Sequence, residues 1–235
     1  MHPRGAADQP AAGTAAIAVS STSMLGRASS ATPTAQRTGT PATNLRAYTS
    51  PEGEGPKSDP EAAKKLLADA GKTGTQVTLD YANDYTRLAG IDYNVLAQGI
   101  QTQLEAIGLK VKLNPAPTST SLQRYVDGET EMALWSWPPD TADPSDVLVF
   151  SAGNLIGQRV QWPAEAAPKV AELAEQARVA TGDDREAAFT AWNRAMNEQA
   201  PFAYLLEPSF FLVASKSVEY VSHDPLASIN LSQIR

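Results

Sequence analysis

Trp135 and Trp137 stand two residues apart, and Asp140 follows three positions later across Pro138 and Pro139. An indole beside a carboxylate is a receptor for a cationic group: the carboxylate pairs with an ammonium, and the ring face attracts the same charge. A second aspartate, Asp143, admits a different chemistry, since two nearby carboxylates can act as the acid and base of a glycosidase-type hydrolysis. Asp143 has a more economical use. With Pro144 after it and Asp146 in the next turn, it reads as the N-cap of a helix, with acid near the positive end. Asp140 lies too early to cap that helix. It is either a ligand contact or a solvated turn residue.

These residues need a frame. Residues 132–137 read as a short buried strand, on which Trp135 and Trp137 point to the same side. Pro138 and Pro139 restrict the residues before them to extended geometry, so Asp140 is held on a stiff arm just beyond the strand. In an open α/β sheet, the crevice past the carboxyl ends of the strands is where ligands bind.

The rest of the chain supplies the sheet. Ser58-Asp59-Pro60-Glu61 opens a helix whose apolar stripe is Ala62, Ala63, Leu66, Leu67 and Ala70, stopped at Gly71. Residues 76–81 alternate as a strand, 92–107 form a second amphipathic helix ending at Gly108, and 109–113 a second strand closed by Pro115 and Pro117. A shorter helix at 119–126, stopped by Asp127-Gly128, precedes the tryptophan strand. Helix alternating with strand implies crossover connections and a largely parallel sheet covered on both faces. Residues 147–150 read as a short helix over the sheet, and 151–167 as loop, with Trp162 a cleft aromatic or a core or hinge one. Helices follow at 168–181 and 185–199, the second preceded by Asp183 and Glu186 in capping-box spacing. The apolar runs 202–206 and 210–214 read as buried strands, and 221–235 as a tail that needs a partner surface.

Composition removes several classes of function. The 235 residues contain no cysteine, and the only histidines are His2 and His223. Disulfides, thiolate chemistry and multi-histidine metal centres are therefore not expected; no cofactor, no metal site and no catalytic residue is assigned. A net charge of −7 argues against nucleic acid as a partner. No apolar run approaches the ~20 residues that span a bilayer. Residues 1–56 are dominated by Ala, Ser, Thr, Pro and Gly. They read as disordered or linker-like, because such a segment buries too little apolar area to offset its ordering entropy. The apolar residues 15–19 are too few for a signal peptide.

With the elements placed, the chain resembles one lobe of the extracytoplasmic solute-binding proteins of peptide/nickel-type ABC importers, the dipeptide- and oligopeptide-binding family. The resemblance rests on five stretches in order. They are Asp59-Pro-Glu-Ala-Ala-Lys-Lys-Leu-Leu-Ala-Asp-Ala-Gly71, Gln101-Thr-Gln-Leu-Glu-Ala-Ile-Gly-Leu-Lys-Val111, Tyr125 to Trp137 with Asp140 and Asp143-Pro144, Glu198-Gln-Ala-Pro-Phe-Ala-Tyr-Leu205, and Asp224-Pro-Leu226. It implies one α/β lobe of a type II periplasmic-binding-protein-like fold over residues 57–220, with the tail 221–235 packing on a first lobe. Asp140 falls where peptide binders of that family place the aspartate that pairs with the ligand's α-ammonium. Trp137 falls where a tryptophan lines a side-chain pocket, and Trp135 is a second candidate contact. Pro138-Pro139 departs from the small or polar residues often found there.

Nothing before residue 57 resembles the first lobe, so the sequence is expected to be a truncated fragment. The implied function is substrate binding for an ABC transporter, not catalysis: capture of peptides or similar small cationic or zwitterionic solutes outside the cytoplasm, with the membrane permease and the missing lobe as partners. Competing readings are a non-functional or interaction-only remnant and, less favoured, a carboxylate-dependent hydrolase.

Overall fold

Five strands lie side by side in the order β3-β2-β4-β1-β5, every neighbouring pair parallel. They are β1 (Ala15–Ser20), β2 (Gln76–Ala82), β3 (Lys110–Ala116), β4 (Met132–Trp137) and β5 (Phe202–Tyr204). The helices are α1 (Pro60–Asp69), α2 (Tyr93–Ala106), α3 (Thr118–Val126), α4 (Leu155–Arg159), α5 (Pro168–Val179) and α6 (Asp184–Gln199), with 3-10 turns at Pro144–Phe150 and Ala164–Ala166. The structure is a computed structural model and describes residues 15–20, 58–85, 92–137, 140–141 and 143–205. The apolar run 210–214, the tail 221–235 and the Pro138-Pro139 arm lie outside the described residues.

The connections explain which helix covers which face. From β2 the chain crosses through α2 to β3, its outer neighbour; from β3 it returns through α3 over β2 to β4. Right-handed crossovers in opposite directions put their helices on opposite faces of the sheet. So Tyr93 and Ala97 of α2 pack with Leu79, Tyr81, Met132 and Leu134 on one face. On the other face Tyr125 of α3 joins Ala133, Phe150 and the α5–α6 layer, whose centre is Val170, Ala177, Phe189 and Trp192. Strand β4 serves both cores by simple alternation: Met132 and Leu134 face α2, while Ala133, Trp135 and Trp137 face the larger helical layer.

Several expectations hold in detail. The strand at 132–137 is found at those bounds, and Asp143 caps the 3-10 helix that starts at Pro144, its Oδ1 accepting from the Ser145 N–H at 2.8 Å. Gly128 closes α3 with φ near +70°, which a side chain would resist.

Others are corrected. Residues 1–56 were expected to hold no regular structure, yet Ala15–Ser20 is a strand bonded to β4 on one side and β5 on the other. A central parallel strand reads as a short apolar run without alternation, which is why no periodicity betrays it. The stretch 151–167, read as loop, contains α4 and a 3-10 turn. Five residues are too few to show a helical period, and α4 is pressed so closely on the preceding turn that a Cβ at Gly157 would sit 2.2 Å from the Ser151 carbonyl oxygen. The capping box is absent: Asp183 is itself helical in backbone angle and makes no side-chain cap bond. The stripe on α1 is not buried either. Leu66 is 69% exposed, and only Ala63 and Leu67 are partly covered.

Candidate functional site

The carboxyl end of β4 carries the aromatic cluster. The Trp137 ring meets Phe150 edge-on at 5.0 Å, and Phe150 meets Phe202 of β5 at 5.1 Å. Trp135 lies 5.7 Å from Tyr125 and edge-on to Tyr85 at 6.0 Å. Aromatic pairs favour edge and tilted geometries because ring edges are positive and faces negative. Between α3, β4 and α4 these rings leave a pocket of about 110 Å³.

Both tryptophans line this pocket, together with Leu122, Ile156 and the guanidinium-bearing Arg159. Arg159 is the one charged residue in the wall among the described residues, its Cζ 5.6 Å from the centre of the Tyr125 ring. Burial pushes the Tyr125 phenol up to about 12 against the opposing pull of Arg159, so it stays protonated. The Trp135 Nε1–H is buried with no hydrogen-bond partner among the described residues. On the opposite side of β4, the Tyr85 and Ser136 hydroxyls share a hydrogen bond at 2.5 Å, and burial raises the Tyr93 phenol.

Asp140 does not line the pocket. It sits on an exposed turn past the end of β4, and its backbone N–H and that of Thr141 both donate to Asp146 Oδ2, the latter at 3.0 Å. Asp146 thus braces the turn, while the Asp140 carboxylate faces solvent. Asp143 is engaged otherwise. Arg185 Nη2 donates to its Oδ1 at 2.6 Å, and the Ser145 hydroxyl donates to the same oxygen at 2.5 Å. The Arg185 bond, outweighing burial and aided by Ser145, holds the Asp143 carboxyl at about 2. A carboxylate so committed is no free general base. The structure therefore brings Trp135 and Trp137 together, sets Asp140 apart on a braced turn, and assigns Asp143 to the frame.

Trp162 packs against the larger core, edge-on to Phe202 at 6.5 Å. Sequence reasoning missed Phe150, Ile156, Arg159 and Phe202 as pocket wall. Tyr125 was inside a recognised stretch, but nothing in its spacing marked it as facing the tryptophans. Among the described residues no group of three or more metal-ligating side chains exists, and no helix is long and apolar enough to cross a membrane.

Comparison with known proteins points one way. A family model described as bacterial extracellular solute-binding proteins, family 5 Middle, matches residues 22–156. The di/tripeptide-binding protein 2 of Pseudomonas aeruginosa is 28% identical over 182 residues, which is 75% of this chain and 34% of that protein. The dipeptide-binding protein of Escherichia coli is 26% identical over 187 residues, 75% of this chain and 33% of that one. Among solved structures, the dipeptide binding protein from Pseudoalteromonas sp. SM9913 in complex with Met-Leu superposes with a TM-score of 0.62 at 25% identity, covering 81% of this chain and 38% of the other. An ABC transporter substrate binding protein of Listeria monocytogenes, CtaP, shares the fold at a TM-score of 0.53 and 18% identity, over 69% of this chain and 33% of the other. The chain spans about a third of the length of the relatives it matches.

Proposed function

The chain belongs to the bacterial extracellular solute-binding proteins of family 5, and from that premise we propose that it forms one wall of a peptide-binding cleft serving an ABC importer. Members of this family bind solutes and are not enzymes. Relatives named for dipeptides and di/tripeptides support a short peptide as the ligand here. Asp140 anchors the ligand's ammonium, Trp137 and Trp135 receive an apolar side chain, and hinge closure against a second lobe completes the site without chemistry. The protein works outside the cytoplasm, and its onward partner is the membrane permease.

The observation that carries this reading is the sharing of one pocket by Trp135 and Trp137 at the carboxyl end of β4, next to a turn that Asp146 braces. Central placement matters too. The chain doubles back from β3 to β4, a switch in strand order of the kind beside which α/β sheets bind ligands, and this supports the reading.

The test is calorimetry with di- to pentapeptides on this lobe joined to the remaining two thirds of a relative, such as the Escherichia coli protein. Asp140→Asn is expected to weaken binding by about thirty- to several-thousand-fold, the cost of about 2–5 kcal/mol for leaving a buried charge unpaired. Asp143→Asn is expected to spare binding, because Asn still caps a helix. Equal, small effects of both substitutions would remove Asp140 from the site.

A further inference from the structure

We propose that Asp84 is a positioning residue for the Trp135 ring, acting through the first turn of α3 without touching a ligand. Its effect on binding rests on the reading of this lobe as a solute-binding wall; its effect on the ring does not.

Helix α3 owes little to apolar packing. Of its nine residues only Ser121 and Tyr125 are buried, while Leu122 and Val126 stay exposed. It also lacks a cap of its own, because Pro117, in the capping position, carries no side-chain acceptor. The free N–H groups of the first turn therefore need a partner from elsewhere. Asp84, on the turn after β2, is that partner. Its Oδ1 accepts from the Thr118 N–H at 2.7 Å and from the Thr118 hydroxyl at 2.6 Å. Those bonds, the hydroxyl's first, hold the Asp84 carboxyl below its ordinary value. The charge that remains suits the positive end of a helix. The turn is itself fixed, since the Asn83 N–H donates to the Ala116 carbonyl at 3.0 Å.

The next residue ties this cap to the site. Tyr85 shares a hydrogen bond with the Ser136 hydroxyl and meets Trp135 edge-on at 6.0 Å. The second ring beside Trp135 is Tyr125, at 5.7 Å, about two turns along α3 from Thr118. Asp84, Thr118, Tyr125, Trp135 and Tyr85 thus close a circuit. The side chain at 84 registers one tyrosine through the helix, and the backbone at 84 carries the other. The Arg124–Asp80 pair fastens the far end of α3, which leaves Asp84 to set its first turn.

The test reads the indole ¹⁵N–¹H resonance of Trp135 in the full 235-residue chain, assigned with Trp135→Phe. Ring currents from both tyrosines act on it. Asp84→Ala is expected to shift this resonance, and Asp84→Asn, which keeps an acceptor in place, to restore it. Thr118→Val loses only the hydroxyl bond. It should give a smaller shift in the same direction, and it carries the test should Asp84→Ala not fold. Thr118→Ser should match the unmodified chain. Asp59→Ala is the control: Asp59 Oδ1 accepts from the Ala62 N–H at 2.9 Å and caps α1, a helix that buries none of its residues. Its loss should leave the Trp135 resonance in place. In this lobe joined to the rest of a relative, Asp84→Ala should weaken di- and tripeptide binding about threefold to tenfold, the equivalent of one lost cap. Asp84→Asn should stay within about twofold of the unmodified protein.

A Trp135 resonance unmoved by Asp84→Ala and by Thr118→Val would overturn the proposal. So would an equal shift in Asp59→Ala, the mark of general loosening, or a shift that Asp84→Asn fails to reverse. Peptide affinity unchanged by Asp84→Ala would overturn it as well. If the ring responds as expected while no peptide binds the joined protein, the role of Asp84 stands and the proposed function falls. If peptides bind through Asp140 while the resonance stays put, the reverse is true.

Discussion

Two aspartate–arginine pairs in this molecule have the same length and opposite electrostatics. Arg124 Nη1 reaches Asp80 Oδ1 at 2.6 Å, and Arg185 Nη2 reaches Asp143 Oδ1 at 2.6 Å. In both, the arginine side chain is 27% exposed; the aspartate is 6% exposed in the first pair and 45% in the second. The Asp80 carboxyl is raised above its ordinary value, because burial outweighs the hydrogen bond from Asn114 and the charge of Arg124. The Asp143 carboxyl is lowered, because hydrogen bonds outweigh a small burial cost. Distance does not decide the sign; desolvation does. The first pair pins α3 to the sheet from beneath, and the second pins the start of the 3-10 helix next to the Asp140 turn.

Removing one partner of each pair should separate them most widely. Arg124→Met leaves Asp80 charged and buried with only Asn114, and is expected to cost about 3–5 kcal/mol in urea unfolding. Combining it with Asp80→Leu should recover much of that, since a well-packed apolar pair replaces a buried ionic one. A cost below about 1 kcal/mol for Arg124→Met would show the two pairs to be equivalent. Asp143→Ala, which loses a cap and an exposed ion pair, is expected to cost about 1–2 kcal/mol. Asp143→Asn, which keeps the cap, should cost less than about 1 kcal/mol.

The pH dependences should have opposite signs. Asp143 has a folded value below the unfolded one, so its stabilisation is present above pH ~4 and is lost as pH falls toward about 2. Solvent screening at a half-exposed group holds this below about 1 kcal/mol. Asp80 has a folded value above the unfolded one, so its favourable contribution is complete below pH ~4 and is lost as pH rises through the folded value. Subtracting the stability curves of Asp143→Asn and Asp80→Asn from that of the unmodified chain should give slopes of opposite sign. Slopes of one sign would break the contrast. Smallest of all, raising salt from 0.1 to 1 M shrinks the screening length from ~10 to ~3 Å. It should weaken the Asp143 pair by a few tenths of a kcal/mol and hardly touch the Asp80 pair, as double-mutant cycles at both salts would measure.

Neither pair was visible in the sequence, although one half of one of them was. Asp143 announced itself through Pro144, because helix capping is a local affair. Arg185 is 42 positions away and Arg124 lies 44 from Asp80, and no local pattern ties such residues together. The same divide runs through the fold and the site. Strand β4, the facing tryptophans, the glycine stops and the crossover pattern were legible from short-range spacing. Strand β1 was not, since a run such as Ala15-Ala-Ile-Ala-Val carries no alternation and earns its place only from neighbours far along the chain. The stripe on α1 misled in the other direction: its period is right, but no described element covers Leu66. Arg159 and Phe202 reach the pocket only through tertiary packing.

Strand order also carries a consequence for the sequence of events during folding. Strands β2 and β3 pair Gln76 with Lys110 across a single helix, a local closure that a growing chain can make as soon as that segment is free. Strand β1 pairs Ala15 with Met132 and Ala16 with Phe202, partners more than a hundred residues downstream. Closing such loops costs entropy before any contact rewards it, and parallel pairings of this span form slowly. At about 5–20 residues per second, β1 leaves the ribosome many seconds before β5 exists. Strand β1 finds its partner once β4 has emerged, and the outer edge of β1 stays open until β5 follows.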